Sequence, residues 1–453
     1  MNKWAESLYY RSPVWLQNIL VSLYGLKLVR ERYAPGSDHV LQSLCDKEFA
    51  PADTVRAEVD AAFRTLAREA IRDVPYYRKW AKREGVREQD IQGLDDLKRF
   101  PVLDKKTVKA NPLDFVSERF PLRSLFRLNT SGTTGTPLDI YTNAEYRTLH
   151  YAFFSRLRRH YGLTKHSRRA TFFGRIIMPA AASKPPFWRY DRPQRNLLCS
   201  SYHLSEAHLP HYARKLEQFW PDEIIGYPSS LYVLARFLVN HPEYSVNPKV
   251  VFTTSETLFD HQRETIARAF RAPVVNQYGC TEMAFFASEY ECGKLHVHPE
   301  HGWLECTDVG ELLATGFVNR VMPLIRYKVG DSGEVVTTFE KCSCGHAWPV
   351  IEHLIGRTDD ILYKADGTPV GRLDPVFKGG QGILEAQVIQ TGQGRFTVNV
   401  VPDGEFSEAE RNHLLNELQK RLGDDAVISI ELLESIPRGN NGKFRAVIND
   451  NRE

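Results

Sequence analysis

Between Arg127 and about Arg357, short apolar runs alternate with helical stretches, and this alternation restricts the fold more than any other feature of the chain. Lys249–Thr254 and Ala272–Tyr278 read as buried strands, and Asp260–Phe270 between them reads as a helix with Asp260 as its cap. Strands in alternation with helices predict an α/β sheet domain. Upstream, residues 1 to about 125 read as helical and polar-rich, punctuated by Pro75, Pro101 and Pro112. Beyond Asp359 the texture changes. Ala386–Gln390 and Arg395–Val401 are strand-like, Ser407–Leu422 is a helix pattern opened by Ser407 with Glu410 in capping-box spacing, and Ala426–Leu433 is a further strand. The expected fold class is therefore α/β, with a large N-terminal domain of mixed sheets and helices and a small, mobile α+β C-terminal domain. The boundaries expected are a helical extension over 1–75, the large domain over 76–357 and the small domain over 358–453.

A chain of 453 residues can bury a large core in more than one domain. Its 59 basic and 56 acidic residues nearly balance, so total charge identifies no partner. Seven cysteines are too few for a disulfide scaffold, and no secretory pattern opens the chain, so a reducing cytoplasm is the expected location. The most apolar segment, Trp15–Val29, carries Gln17, Asn18, Ser22, Gly25 and Lys27 and falls short of a membrane span. It reads as an amphipathic helix packed on the body of the protein, with peripheral membrane contact as the most it could add.

Five motifs carry chemistry. Thr130-Ser131-Gly132-Thr133-Thr134-Gly135 follows a strand-like stretch at Leu125–Leu128. Its glycines let backbone amides approach a ligand, and its hydroxyls add donors, so it suits phosphate oxygens; it lacks the Gly-Lys-Ser/Thr of a Walker A loop. Tyr278-Gly279-Cys280-Thr281-Glu282 ends a predicted strand, where a ring can stack on a base, a threonine can donate to phosphate and a carboxylate can hold Mg2+. Pro323–Asp331 ends in an aspartate able to accept ribose hydroxyls. Gly356-Arg357-Thr358-Asp359-Asp360 lies where the texture changes. Pro437–Arg445 presents Lys443 from a glycine- and asparagine-rich loop, suited to neutralising charge on an attacked phosphate.

In this order and spacing the motifs resemble those of the adenylate-forming (acyl-CoA synthetase, AMP-binding) superfamily, and more closely its phenylacetate–CoA ligase-like branch, including relatives from capsule and surface-polysaccharide clusters. Ser255-Glu256 ahead of the Tyr278 motif and Cys342-Ser343-Cys344-Gly345 ahead of Gly356-Arg357 support that branch. The resemblance spans roughly residues 75 to 450. It implies that Thr130–Gly135 hold the β- and γ-phosphates of ATP. Ser255, Glu256 and Tyr278-Gly279 would lie at the adenine, Thr281 at the α-phosphate and Glu282 on Mg2+. Asp331 and Arg357 would hold the ribose, Asp359 would be the hinge, and Lys443 would be catalytic together with Thr281 and Glu282. Two departures stand out: Tyr327-Lys328-Val329-Gly330-Asp331 replaces the usual Tyr-x-Thr-Gly-Asp, and Thr253-Thr254 replace a more glycine-rich turn.

The activity implied is a carboxylate ligase: a small carboxylic acid is activated as its acyl-adenylate with release of pyrophosphate and then transferred, CoA being the default acceptor. An amine such as an amino sugar, or a carrier protein, is the alternative acceptor. A catalytically silent binding or scaffold homologue is the rival reading, and a homodimer is compatible with any of these. Separately, Cys292, His298, Cys342 and Cys344 make a three-thiolate, one-imidazole set suited to a closed structural Zn2+ site. His296 and Cys306 are its substitutes. Finally, bases outnumber acids between Arg156 and Arg195, including Arg158, Arg159, Lys165, Arg168, Arg169, Arg175, Lys184, Arg189 and Arg192. That stretch reads foremost as a solvated face, then as a landing surface for an anionic acceptor. No nucleic-acid partner is expected from it.

Overall fold

The computed structural model describes residues 8–129, 138–179, 182–357, 362–368, 370, 382–402, 406–439 and 442–450. The chain opens with helices α1 (Val14–Arg32), α2 (Ser37–Asp46), α3 (Ala52–Asp73), α4 (Pro75–Glu84) and α5 (Lys105–Ala110). Helix α3 buries Val55, Val59, Phe63, Leu66, Ala70 and Ile71, the three-to-four spacing of a single apolar face. Pro75 at the first turn of α4 and left-handed Gly85 just beyond it set that helix's ends.

Strands β1 (Phe126–Asn129) and β2 (Asp139–Thr142) pair antiparallel. Helix α6 (Ala144–His160) then leads into a large sheet. It comprises β3 (Arg169–Phe173), β4 (Trp188–Asp191), β5 (Asn196–Ser200), β6 (Glu223–Gly226), β7 (Val250–Thr254), β8 (Val274–Gly279), β9 (Phe286–Glu289), β10 (Leu295–Val297), β11 (Gly302–Cys306), β12 (Glu311–Gly316), β13 (Tyr327–Val336) and β14 (Val350–Arg357). Helices α7 (Leu209–Phe219), α8 (Pro228–Asn240) and α9 (Asp260–Phe270) connect its parallel strands.

The strand order is β11-β12-β13-β14-β10-β9-β8-β7-β6-β3-β5-β4, with β5, β3, β6, β7 and β8 mutually parallel and the rest antiparallel. Crossover helices cover the parallel part, so β5 is buried at every position and β7 at all but its last. A smaller sheet of order β17-β16-β15-β18 is built from β15 (Ile383–Gly392), β16 (Arg395–Pro402), β17 (Val427–Leu432) and β18 (Val447–Asn449). Helix α10 (Glu408–Leu422) packs Leu414, Leu418 and Leu422 into that sheet's core with Val388, Phe396, Val398 and Val400. The mixed α/β architecture expected from the sequence is the one observed.

Two local expectations meet the structure differently. Ser407 caps α10 as its spacing predicts: the Glu410 N–H donates to its hydroxyl at 3.3 Å, and the Ser407 N–H donates to the Glu410 carboxylate at 3.1 Å. Asp260 does not cap α9. It is the first helical residue, and the preceding Phe259 N–H donates to Gln262 Oε1 at 3.2 Å instead.

Helix α1 packs on β4 and α6 and buries Gln17, Gly25 and Leu28. Its side chains are stitched down: Arg189 donates to Gln17 Oε1 at 2.5 Å and the Tyr190 N–H to Asn18 Oδ1 at 2.9 Å. Its outer face still exposes Trp15, Ile19, Leu23 and Tyr24. No helix among the described residues is long and apolar enough to cross a membrane.

Candidate active site

Four parallel strands end along one edge of the large sheet, β3 at Phe173, β6 at Gly226, β7 at Thr254 and β8 at Gly279. Ligands of α/β sheets bind beyond such carboxyl ends, where the loops converge. Glu256, two residues past β7, accepts two backbone hydrogen bonds: from the Ser229 N–H in the first turn of α8 at 3.1 Å, and from the Phe444 N–H at 2.6 Å. Enclosure by protein raises the Glu256 carboxyl above its ordinary pKa, and the contacts from Phe444 and Ser229 offset this only in part.

On the other side of Lys443, Gly442 meets the end of β3. A Cβ there would lie 2.5 Å from Gly174 Cα and 2.9 Å from Tyr202 Oη, and the Gly442 φ of 72° is left-handed, so glycine is required on both counts. The Gly442 N–H donates to the Gly439 carbonyl at 2.8 Å, and the Gly439 N–H donates to the Lys443 carbonyl at 3.1 Å. At the base of this loop Arg438 pairs with Glu385 of β15 and lies over the Phe444 ring at 4.8 Å, while Gln387 donates to the Arg445 carbonyl at 2.7 Å. Lys443 is thus carried from the small sheet and seated, half-buried, against the strand ends of the large one.

The Tyr278 hydroxyl, at the end of β8, donates to Asp331 Oδ2 on β13 at 2.6 Å. Asp331 stands opposite Arg357 in the β13–β14 register. Glu282 is buried and accepts from the Tyr327 hydroxyl at 3.1 Å, while the neighbouring Thr281 is exposed. Three non-glycine residues with positive φ border these groups: Ser255 (70°), Met283 (58°) and Arg326 (52°). Left-handed backbone is costly for such residues and concentrates where structure is held for function.

A buried carboxylate fixed through one oxygen is the hard donor that Mg2+ takes, so Glu282 fits the metal the motif implies. Thr130–Gly135 and Asp359 lie outside the described residues, and Arg357 is described only through its backbone. The structure therefore joins Glu256 to the Lys443 loop at the end of β7, and, beyond the end of the neighbouring strand β8, joins Tyr278 and Glu282 to Asp331 and Tyr327 of β13. Gly174 and Ser229 fall within 173–175 and 226–230, the two segments from which the sequence leads one to expect the acid pocket, whereas Tyr202, just beyond β5, was missed. Phe173 and Tyr227, 5.2 Å apart between ring centroids, line that edge, and burial pushes the Tyr227 hydroxyl up to about 12.

Two expectations are corrected. Much of the basic stretch is internal. Arg156 is fully buried and donates to Glu300 at 2.7 Å, Arg158 and Arg169 both pair with buried Glu223 at 2.5 and 2.7 Å, and buried Arg189 holds Gln17. Arg158 and Arg169 neutralise buried Glu223 and Arg156 the partly buried Glu300, as low-dielectric surroundings require, whereas Arg189 meets a neutral amide. Arg159, Lys165, Arg175, Lys184 and Arg192 remain exposed. The second correction is the imidazole of the cysteine set. His298 has both ring nitrogens engaged elsewhere, Nε2 with Ser288 Oγ and Nδ1 with Arg156, each at 2.7 Å. His296 is the histidine that meets Cys292, Cys342 and Cys344. Cys306 is also elsewhere, its Sγ donating to the Gly333 carbonyl at 3.0 Å.

A large sheet whose parallel strand ends receive a lysine loop from a small mixed-sheet unit defines the fold of adenylate-forming ligases. A 2-hydroxyisobutyryl-CoA ligase in its postadenylation state superposes with a TM-score of 0.69 at 18% identity, covering 89% of this chain and 91% of that one. The same enzyme in its thioesterification state, at 19% identity and the same coverage, gives 0.55. Protein CapK of Staphylococcus aureus is 27% identical over 98% of this chain and 99% of its own length. The phenylacetate-coenzyme A ligase of Thermus thermophilus is 24% identical over 70% of this chain and 73% of its own. Residues 362–450 match the CapK C-terminal domain family. By these similarities the chain resembles the phenylacetate–CoA ligase-like branch of the adenylate-forming superfamily, with CapK among the similar proteins. They support a carboxylate ligase as its class of activity.

Proposed function

We propose that the chain activates a small carboxylic acid with ATP and then passes the acyl group to CoA. The observation that carries this reading is the seating of the Lys443 loop, with Gly442 against Gly174 and Tyr202 and the Phe444 N–H on Glu256. Tyr278, Gly279, Ser255 and Glu256 border the adenine, Asp331 with Arg357 accepts the ribose hydroxyls, and Thr281 and Thr130–Gly135 donate to the phosphates. In the first step a carboxylate oxygen attacks the α-phosphorus, the bond to the β-phosphate oxygen breaks, and pyrophosphate leaves. Attack of one anion on another is opposed by charge. The Lys443 ammonium, held between incoming carboxylate and α-phosphate, offsets it and costs no reorganisation because its loop is already docked. Glu282 would hold Mg2+, which when bound would further neutralise the phosphates. The acyl-adenylate hydrolyses readily, so the docked loop also excludes water.

In the second step the CoA thiolate attacks the acyl carbonyl, the C–O bond to phosphate breaks, and AMP leaves. Lys443 has no part in this step. A swivel of the small domain (358–453) about Asp359 would take its loop away and bring another face to the same strand ends.

The test is product analysis with MgATP, a panel of aryl, alkyl and hydroxy acids, and CoA. One acid giving its CoA thioester and AMP in equal amounts supports the reading. An acid that yields pyrophosphate but no thioester would instead point to an amine or carrier-protein acceptor.

A further inference from the structure

Outside the active site, one cluster has donors but no role in the chemistry above. Cys292 lies in the β9–β10 turn, His296 on β10, and Cys342 and Cys344 in the β13–β14 connection. One ligand atom from each, all four together, falls within 4.8 Å of every other. We propose that these four residues bind a single structural Zn2+ ion that pins the antiparallel half of the large sheet to the N-terminal helices.

The distances fit the ion. With Zn–S about 2.3 Å and Zn–N about 2.0–2.1 Å, a tetrahedral centre spaces sulfur and nitrogen ligands by about 3.5–3.6 Å. His296 Nε2 lies 3.5 Å from Cys292 Sγ and 3.4 Å from Cys344 Sγ. The loop is shaped for it: the Cys342 N–H donates to the His346 carbonyl at 2.8 Å and the Gly345 N–H to the Cys342 carbonyl at 2.9 Å, with left-handed Gly345 (φ 93°) closing the turn. Three thiolates, one imidazole and Zn2+ make a closed set of net charge minus one, with no open position for a substrate.

A second layer of hydrogen bonds explains the tethering. His346 Nδ1 lies 3.2 Å from Cys344 Sγ, and its Nε2 lies 3.4 Å from Glu48 Oε1. Glu48, just beyond α2, also meets His160 at 2.9 Å and Arg156 at 3.8 Å, both on α6. Hydrogen bonds from a ligand's neighbours fix ligand orientation and metal affinity. Glu48, His160 and His346 themselves form a rival three-donor group. Arg156 already compensates that carboxylate, and the group lacks thiolates, so zinc belongs to the cysteine set.

The whole chain, purified without an added metal-binding tag, would be assayed for metal by elemental mass spectrometry and for thiol reactivity. The expected result is about one zinc per chain, reduced to about a tenth or less by Cys342→Ser or His296→Ala and retained in Cys306→Ser and His160→Gln. Zinc lost with His160→Gln but kept with Cys342→Ser would overturn the assignment in favour of the Glu48 group. Zinc-free protein with an unchanged denaturation midpoint and reactive Cys342 and Cys344 would overturn it altogether. Should the variants fail to fold, cobalt(II) exchange into the wild-type chain decides. The intense visible absorption of a tetrahedral thiolate site upholds the proposal, and the weak spectrum of an octahedral ion overturns it.

Discussion

Removing the Glu256 carboxylate tests whether the Lys443 loop is held in place by the contact seen at its flank. Glu256 accepts the Phe444 N–H of that loop at 2.6 Å and the Ser229 N–H at 3.1 Å. A hydrogen bond to an ionised acceptor contributes about 1.5–3 kcal/mol, which corresponds to a population or rate change of about 10- to 150-fold.

Glu256→Ala should therefore slow single-turnover adenylate formation by about tenfold or more. Thioester formation from preformed acyl-adenylate at saturating concentration and CoA should be unaffected, because the proposed swivel releases the loop for that step. Glu256→Gln keeps a neutral acceptor oxygen and should fall between the two. Rapid-quench measurement of both half-reactions, with the ATP dependence of the first, separates a latch from a nucleotide contact. Equal losses in the two half-reactions, or an unchanged rate of adenylation in Glu256→Ala, would refute the latch.

Tyr278→Phe deletes the 2.6 Å bond to Asp331 and should raise the KM for ATP about 2- to 10-fold with little change in kcat, measured by steady-state pyrophosphate release. An unchanged KM would detach that pair from nucleotide binding. Glu223→Gln leaves buried Arg158 with no anion and should cost about 3–5 kcal/mol, read from denaturant midpoints. Burial opposes ionisation of Glu223, but Arg169 and Arg158 outweigh it and depress its folded pKa below the ordinary carboxylate range. A depressed folded pKa contributes stability that is fully present above the unfolded value near 4.5 and is lost as pH falls through the folded one. The wild-type stability should thus drop more steeply below about pH 4.5 than that of Glu223→Gln; parallel curves would contradict the assignment.

The parts of the fold legible in sequence are those written locally. Apolar runs disclose β7 and β8 because parallel strands are buried on both faces, and Ser407 with Glu410 discloses the start of α10 because a capping box spans three residues. Partners distant in the chain were not legible. Arg156 and Arg158 look like surface charge until Glu300 and Glu223, 144 and 65 residues away, are folded against them. His296 and His298 share a side of the strand by parity, so spacing alone does not choose between them. What chooses is Ser288 and Arg156, which occupy the nitrogens of His298 and leave His296 to the cysteines. At the candidate active site the motifs named candidate residues for the chemistry, whereas the Glu256 contact with Phe444 depends on how the small sheet sits.

The most direct test of the ligase reading is acid-dependent pyrophosphate release from MgATP, measured in parallel for the wild-type chain and Lys443→Ala. Release that requires one carboxylic acid and falls about 100- to 1,000-fold in Lys443→Ala, with ATP binding and circular dichroism unchanged, is the expected result. Release that is independent of any acid, or that persists undiminished without Lys443, would contradict it.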